Sequence, residues 1–196
     1  MRPQTKAIDV IMERVPLANR WISERWQPAA VEIVERRADA PVPRDLVPGT
    51  CEMMPADAKL AVAVAGPPAD RVPAHPRLRA LGRVEDVASL LQSVDFLINV
   101  NRFTLFDLST IEATQAGKAL LLHAVGGNRA FERLGAGCVM LSDLEPSTVA
   151  RGLTAMATLD SSSLGALAER SRSCWQEHLT PRHMWERHLA LYDEVA

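Results

Sequence analysis

The stretch that decides the fold is 95–128, which reads DFLINVNRFTLFDLSTIEATQAGKALLLHAVGGN. An apolar run (96–100), a helical segment (about 109–117) and a second apolar run (119–123) follow one another in it. This strand–helix–strand order is typical of parallel sheets. Ligands of open parallel sheets bind beyond the carboxyl ends of the strands. The loops at 101–108 and 124–128 therefore form the predicted mouth of a binding site.

Similar patterns continue on both sides of this unit. The run KLAVAVA (59–65) predicts a buried parallel strand because it is continuously apolar. An amphipathic helix is expected from Glu85. Downstream, a short helix is expected from Asn128 to a C-cap at Gly135, followed by a strand at 138–141 and then helices. The predicted fold class is α/β, with a Rossmann-like parallel sheet flanked by helices.

Composition excludes several classes of function. The chain has 196 residues, of which 47% are hydrophobic and 23% charged, as in a globular protein with a core. Its net charge of −2 and its aromatic content of 5% argue against a nucleic-acid partner. No apolar run reaches the roughly 18 to 20 residues that a transmembrane helix requires.

The N-terminus and the cysteines indicate a cytoplasmic protein. The first residues lack the apolar core of a signal peptide. The cysteines are odd in number and widely spaced (Cys51, Cys138 and Cys174), which is typical of reduced thiols.

Residues 1–56 differ from the rest of the chain. They end in a Pro-rich stretch, APVPRDLVPG (40–49), that reads as a linker. Short β-like pieces are possible at 7–12 and 29–34. We therefore expect an irregular or β N-terminal segment (1–56) and an α/β domain (57–196).

The α/β domain resembles the donor-binding half of two-domain, GT-B-type glycosyltransferases, especially the retaining group known as family 4. The features shared with that family are Phe106, Glu112, Ala113, Gly117, Lys118, the strand through Leu122, Val125, Gly126 and Gly127. The runs at 59–66, 78–96 and 185–195 match its flanking elements, so the resemblance covers residues 57 to 196. Residues 8–35 weakly resemble an uncharacterised bacterial domain family, which implies no function.

Three departures accompany this resemblance. The first glutamate of the family's catalytic pair corresponds to Thr104, and the glycine after the phenylalanine corresponds to Asp107. The family's lysine motif, which contacts the donor diphosphate, has no clear counterpart.

Glu112 is the principal candidate for a ligand-binding residue. The resemblance implies that Glu112 binds the ribose hydroxyls of a nucleotide, since a carboxylate accepts two hydrogen bonds from a vicinal diol. The alternative is a capping box formed by Ser109 and Glu112 at the start of the helix. Thr104, the other member of the catalytic pair, can hydrogen-bond a sugar hydroxyl.

The remaining candidates lie in the two loops, apart from Arg83 in LGRV (81–84), which corresponds to the family's base-contacting loop. The resemblance implies that Phe106, Asp107 and Leu108 present backbone N–H groups to the donor at a helix N-terminus. The Asp107 side chain would either oppose a diphosphate or cap the helix. The other candidates are the turn Gly126-Gly127-Asn128, where glycine permits close backbone approach, and Arg83. The alternative for the glycine turn is a tight turn followed by an asparagine N-cap. The alternative for Arg83 is a solvated surface charge.

The resemblance implies transfer of a hexose from a nucleoside diphosphate sugar to an unknown acceptor, with retention of configuration. No cofactor and no catalytic metal are implied. The alternative function is a non-catalytic nucleotide-sugar-binding or scaffold module. Because 56 residues are too few for an acceptor domain, a second polypeptide is a possible partner.

Overall fold

A computed structural model of the chain describes residue 50 and residues 53–54, 60–66, 72 and 74–195. All of them belong to one compact unit, Val42–Ala196. The β-like pieces expected at 7–12 and 29–34, and the segment 8–35 as a whole, lie outside the described residues.

The described strands form two parallel sheets. A two-stranded sheet pairs β1 (Val62–Ala65) with β2 (Leu78–Gly82). A three-stranded sheet has the order β3-β4-β5, formed by Phe96–Asn99, Ala119–His123 and Cys138–Leu141. In its register Asn99 lies opposite Leu122, and His123 lies opposite Leu141. The carboxyl ends of β3 and β4 therefore meet at one edge.

Helices connect and cover the strands. In chain order they are α1 (Val87–Gln92), α2 (Leu108–Gln115), α3 (Asn128–Arg133), α4 (Pro146–Ala157), α5 (Ser161–Cys174) and α6 (Pro181–Val195). A π-helical turn, Trp175–Leu179, joins α5 to α6.

The core lies on both faces of β4, the central strand. Ala119 and Leu121 point to one face, where they pack with Val149, Leu153 and Met156 of α4. On the other face Leu120 and Leu122 pack with residues of α1, α2, α3 and α5, namely Leu91, Ala113, Phe131 and Cys174. Alternate residues of a strand point to opposite faces, so a strand covered on both faces must be apolar throughout.

The sequence predictions for this domain hold in most elements. The α/β class, the parallel pairing and the strands at 119–123 and 138–141 are confirmed. The helix expected from Glu85 begins at Val87, because the Asp86 side chain accepts a hydrogen bond from Ser89 N at 2.9 Å and so occupies the N-cap position.

The prediction of burial for the first strand is wrong. β1 is parallel, as expected, but Ala63 and Ala65 are exposed while Val62 and Val64 are partly buried. Within the described residues β1 has β2 as its partner strand, and the alternation of exposure is that of a strand covered on one face. An apolar run with alanine at alternate positions fits this arrangement, since alanine tolerates exposure.

The segment before residue 57 contributes Met54 to the core. Met54 is 5% exposed and belongs to the core cluster around Ala119 and Leu121, whereas its neighbour Met53 is 59% exposed. The boundary between residues 56 and 57 stays a prediction, and Met54 offers a direct test of it.

We expect Met54→Ala to lower the free energy of unfolding by about 2 kcal/mol, because it removes buried methylene and thioether groups from a packed core. Met53→Ala is the matched control and should change it by less than about 0.5 kcal/mol. Urea denaturation of the two variants measures both values. An equally small effect at the two positions would indicate that the N-terminal segment contributes little to the domain.

Candidate functional site

The two predicted loops lie side by side at the carboxyl edge of the three-stranded sheet. The first follows β3 at residues 100–107 and the second follows β4 at residues 124–127. Residue Gly127 donates its backbone N–H to the Thr104 carbonyl oxygen at 3.0 Å. Both loops therefore lie at the edge predicted from the sequence, and they are in direct contact.

Two glycines make this contact possible. A Cβ at Gly126 would lie 1.9 Å from the Thr104 carbonyl oxygen, and a Cβ at Gly127 would lie 1.6 Å from the Leu105 carbonyl oxygen. Gly126 also has a φ of +43°. In this conformation the glycines therefore accommodate the backbone of the neighbouring loop.

A stacked aromatic pair also connects the loop after β3 to helix α3. The ring of Phe106 stacks on the ring of Phe131 of α3, with centroids 4.8 Å apart and an interplanar angle of 4°. Phe131 is fully buried and Phe106 is partly exposed. Stacking of this kind adds about 0.5 to 1.5 kcal/mol to the burial of the rings.

Asp107 stands at the N-cap position of α2, yet its side chain does not cap the helix. Its Oδ2 atom accepts hydrogen bonds from Asn99 Nδ2 at 2.6 Å and from Asn101 Nδ2 at 3.0 Å. The interpretation of this carboxylate as a helix cap is wrong, because two amide donors at the end of β3 hold it instead.

These amides belong to a polar network that the sequence analysis missed. Asn99 is buried at the last position of β3 and also donates to Thr110 Oγ1 at 3.0 Å. His123, the last residue of β4, has its Nδ1 atom 2.9 Å from the Asn101 carbonyl oxygen. A signal was present in the sequence: polar residues stand at the end of each of two otherwise apolar strands.

Glu112 lies in the second turn of α2. The capping-box alternative is wrong, because the helix begins at Leu108 and Ser109 is already inside it. The first intrahelical bonds run to the Asp107 carbonyl oxygen, from Thr110 N and Ile111 N. Partial burial raises the pKa of the Glu112 carboxyl, which costs its charged form some stability.

Thr104 and Asn128 are both buried beneath the junction of the loops. Thr104 is 3% exposed and Asn128 is fully buried. Thr104 Oγ1 and Asn128 Oδ1 have no hydrogen-bond partner among the described residues. Asn128 is the first residue of α3 and donates Nδ2 to the His123 carbonyl oxygen at 3.0 Å, so the asparagine N-cap alternative is also wrong.

The other candidates divide between the two sheets. Leu108 is exposed at the start of α2, close in sequence to Phe106 and Asp107. Arg83 follows β2 and so belongs to the end of the two-stranded sheet. The remaining candidates all lie on or beside the loops that follow β3 and β4.

Cysteine chemistry has no support among the described thiols. Cys138 and Cys174 are free. Burial raises the pKa of Cys138 to about 11 and also raises the pKa of Cys174. Since the thiolate is the nucleophile, both groups are unreactive near neutral pH.

Solved structures with a similar fold are glycosyltransferases. HepE from Anabaena, solved with UDP and glucose, superposes with a TM-score of 0.63 at 14% identity, over 79% of this chain and 45% of HepE. A glycosyltransferase from Rickettsia africae gives a TM-score of 0.66 at 14% identity, over 86% of this chain and 52% of that one. WaaG, a glycosyltransferase involved in lipopolysaccharide biosynthesis, gives 0.58 at 16% identity, over 71% and 40%.

The likeness to these proteins is one of fold. No protein-family model and no curated protein sequence matches the chain. The chain spans about half the length of the three structures. Its parallel sheets flanked by helices are those of one Rossmann-like half of a GT-B glycosyltransferase. Among the described residues, no helix combines the length and the apolar character that a membrane span requires.

The contact between the two loops can be tested by adding one methyl group. We expect Gly127→Ala to lower the free energy of unfolding by about 1 to 3 kcal/mol, because the new Cβ would overlap the Leu105 carbonyl oxygen. Gly165→Ala is the control. Gly165 lies inside α5, and a Cβ added there would have nothing within 4 Å. The substitution should therefore raise the free energy of unfolding by up to about 1 kcal/mol, because alanine favours the helix more than glycine does. Equal stability of the two variants in thermal denaturation would contradict the close contact.

Proposed function

We propose that this chain is the donor-binding half of a retaining, family-4-like GT-B glycosyltransferase. The proposed reaction transfers a hexose from a nucleoside diphosphate sugar to an acceptor whose identity stays open. The observation that carries the proposal is the pair of contacting loops at the carboxyl edge of β3 and β4, in a fold similar to that of HepE, which was solved with UDP and with UDP-glucose.

The ribose and the diphosphate of the nucleotide sugar each have a proposed contact. Glu112 accepts hydrogen bonds from the ribose hydroxyls. The first backbone N–H groups of α2, at Leu108 and Ser109, lie at the positive end of the helix dipole and bind the diphosphate. Chemistry of this kind depends on positioning the donor and stabilising the leaving diphosphate.

Asp107 fits this arrangement better than its charge suggests. Its carboxylate is held at the end of β3 by Asn99 and Asn101. Two amide donors offset part of its negative charge, which reduces its repulsion of a diphosphate at the start of α2. Thr104 is buried in this conformation, so a ligand contact through its hydroxyl requires the loop to shift.

The second candidate function is a non-catalytic module that binds a nucleotide sugar or serves as a scaffold. The observation that favours it is Thr104, which stands at the first glutamate position and is buried beneath the neighbouring loop. In either case we propose a cytoplasmic location, supported by the free thiols of Cys138 and Cys174.

We expect nucleoside diphosphate binding to depend on Glu112. Glu112→Gln removes a charged acceptor of two hydrogen bonds and should weaken binding by about 1.5 to 3 kcal/mol. Calorimetric titration with UDP, GDP and ADP measures the affinities. Glu132→Gln, which makes the same charge change at an exposed position of α3, is the control and should bind as the unmodified chain does.

Stability separates a loss of binding from a loss of fold in this variant. Burial raises the pKa of Glu112, so its contribution to stability is complete below the ordinary pKa and is lost as the pH rises through the raised value. Glu112→Gln should therefore not lower the free energy of unfolding at neutral pH. Unchanged affinity together with unchanged stability would remove Glu112 from the proposed site.

We further expect the 196-residue chain alone to show no sugar transfer and at most slow hydrolysis of the donor. It spans about half the length of the similar structures, and we propose that a second polypeptide or a longer chain supplies the acceptor half. Orientation of two reactants contributes roughly 7 to 11 kcal/mol to such a step, and one half of a cleft cannot supply it.

The assay for this prediction uses labelled nucleotide sugars with a panel of acceptors and follows both glycoside formation and nucleotide release. Glu112→Gln serves as the control that assigns any hydrolysis to the proposed site. Multiple turnovers of transfer by the chain alone would contradict the prediction.

A further inference from the structure

His123 carries an unused hydrogen-bond acceptor at the carboxyl edge of the sheet. Its Nδ1 atom is 2.9 Å from the Asn101 carbonyl oxygen. A carbonyl oxygen can only accept a hydrogen bond, so Nδ1 must carry the proton. In the neutral form, imidazole has one N–H group, so this geometry selects the tautomer in which Nε2 carries a free lone pair.

Nothing in the described part of the chain uses that lone pair. The hydrogen bonds of the His123 side chain there consist of the one from Nδ1, and the ring is only partly buried. The contacts proposed above for ribose and diphosphate do not involve it either. A fixed acceptor at the end of a central strand is thus available to a ligand.

A second unused acceptor belongs to Asp107, which Asn101 also contacts. The side chain of Asn101 donates to Asp107 Oδ2, while its backbone carbonyl orients His123. Both amide hydrogen bonds to Asp107 go to Oδ2, and no described residue donates to Oδ1. Asn101 therefore contacts both residues that carry an unused acceptor, His123 and Asp107.

The buried side chain of Asn128 contacts the backbone of His123. Asn128 donates Nδ2 to the His123 carbonyl oxygen, and its own Oδ1 has no partner among the described residues although the side chain is fully buried. An unsatisfied buried acceptor costs free energy until a donor reaches it. The part of this edge open to a ligand carries the acceptors of His123 and Asp107, which suit a ligand that brings hydrogen-bond donors.

This chemistry discriminates between ligand groups. A phosphate offers no protons to Nε2, and the Asp107 carboxylate, although its charge is partly offset by two amide donors, disfavours an anion directly beside it. A neutral polyhydroxylated group offers several O–H donors and satisfies both acceptors.

We infer that His123 and Asp107 form the subsite for the sugar moiety of the donor, with His123 Nε2 accepting a hydrogen bond from one sugar hydroxyl. The inference rests on the proposed function and adds to it the residues that recognise the sugar. His123 acts as a positioning residue for the sugar, and the diphosphate lies outside the subsite, toward the start of α2.

The first test needs no ligand. Nitrogen-15 NMR of the imidazole ring in the full chain at neutral pH should show a protonated Nδ1 and an unprotonated Nε2. His123→Phe identifies the resonances. A proton on Nε2 would overturn the inference, because the nitrogen offered to the ligand would then be a donor.

The second test compares each nucleotide sugar with its parent nucleotide, namely UDP-glucose with UDP, GDP-mannose with GDP and ADP-glucose with ADP. His123→Phe keeps a ring of similar size and removes both nitrogens. It should weaken binding of the nucleotide sugar by roughly 3- to 10-fold and leave the parent nucleotide unaffected. His123→Gln, whose amide oxygen can accept in place of Nε2, should recover part of the loss.

Two measurements separate a binding role from a structural one. His188→Phe, the same exchange in α6, is the matched control and should leave every affinity unchanged. A purely structural role of His123 would weaken nucleotide and nucleotide sugar equally and would lower the thermal midpoint in parallel.

The outcomes distinguish the two proposals. If the unmodified chain binds none of the six compounds, the proposed function fails, and the subsite fails with it. Alternatively, the chain binds them while His123→Phe weakens binding of the nucleotide sugar and of its parent nucleotide equally, or changes neither affinity. In both of these cases the sugar subsite alone is overturned.

Discussion

Burial of strand β4 is the interaction on which the rest of the domain depends. Ala119, Leu120, Leu121 and Leu122 are all fully inaccessible to solvent, and the strand is paired with a parallel neighbour on each side. Burial of each leucine side chain contributes about 1.5 to 3 kcal/mol. Because α4 packs on one face and α1, α2, α3 and α5 pack on the other, the strand fixes the positions of both helical layers. It also fixes the point at which His123 and the glycine turn leave the sheet.

The chemistry of the candidate site follows from a contrast at this edge. β4 is apolar up to its last residue, while the polar side chains begin where the strands end, at Asn99 and His123. Hydrogen bonds among Asn99, Asn101 and Asp107 are partly shielded from water, which strengthens them and fixes the geometry of the edge. Acceptors thus collect over β3 and β4, and backbone donors collect at the start of α2. A nucleotide sugar has the complementary division into a hydroxyl-rich part and an anionic part.

Sequence reasoning succeeded where the determining interactions are local or periodic. The βαβ unit at 96–123 could be predicted because strand burial and helix amphipathicity leave direct traces in the order of apolar residues. Polar residues at the strand ends are visible in the sequence, but their hydrogen-bond partners could not be predicted, since residues as far apart as Asn101 and His123 meet only after the sheet has formed. Two of the three helix-cap interpretations, those for Asp107 and Asn128, failed for a related reason. Asp107 and Asn128 have the right side chains for capping, but partners from neighbouring strands compete successfully for them. The one-sided exposure of β1 depends on which elements cover it, and a short apolar run carries no information about that.

The glycine pair after β4 has a meaning that differs from its usual association with ligands. Each glycine stands where a Cβ would collide with a carbonyl oxygen of the neighbouring loop, so the requirement for glycine arises inside the protein itself. A descendant of this chain that had lost its ligand would still need both residues in order to fold. Selection for a stable domain and selection for a nucleotide-sugar site therefore preserve the same two glycine residues. Evidence that a domain of this kind still binds its ligand must come from side chains whose loss the fold tolerates, and Glu112 is such a residue because burial of its charge already costs stability.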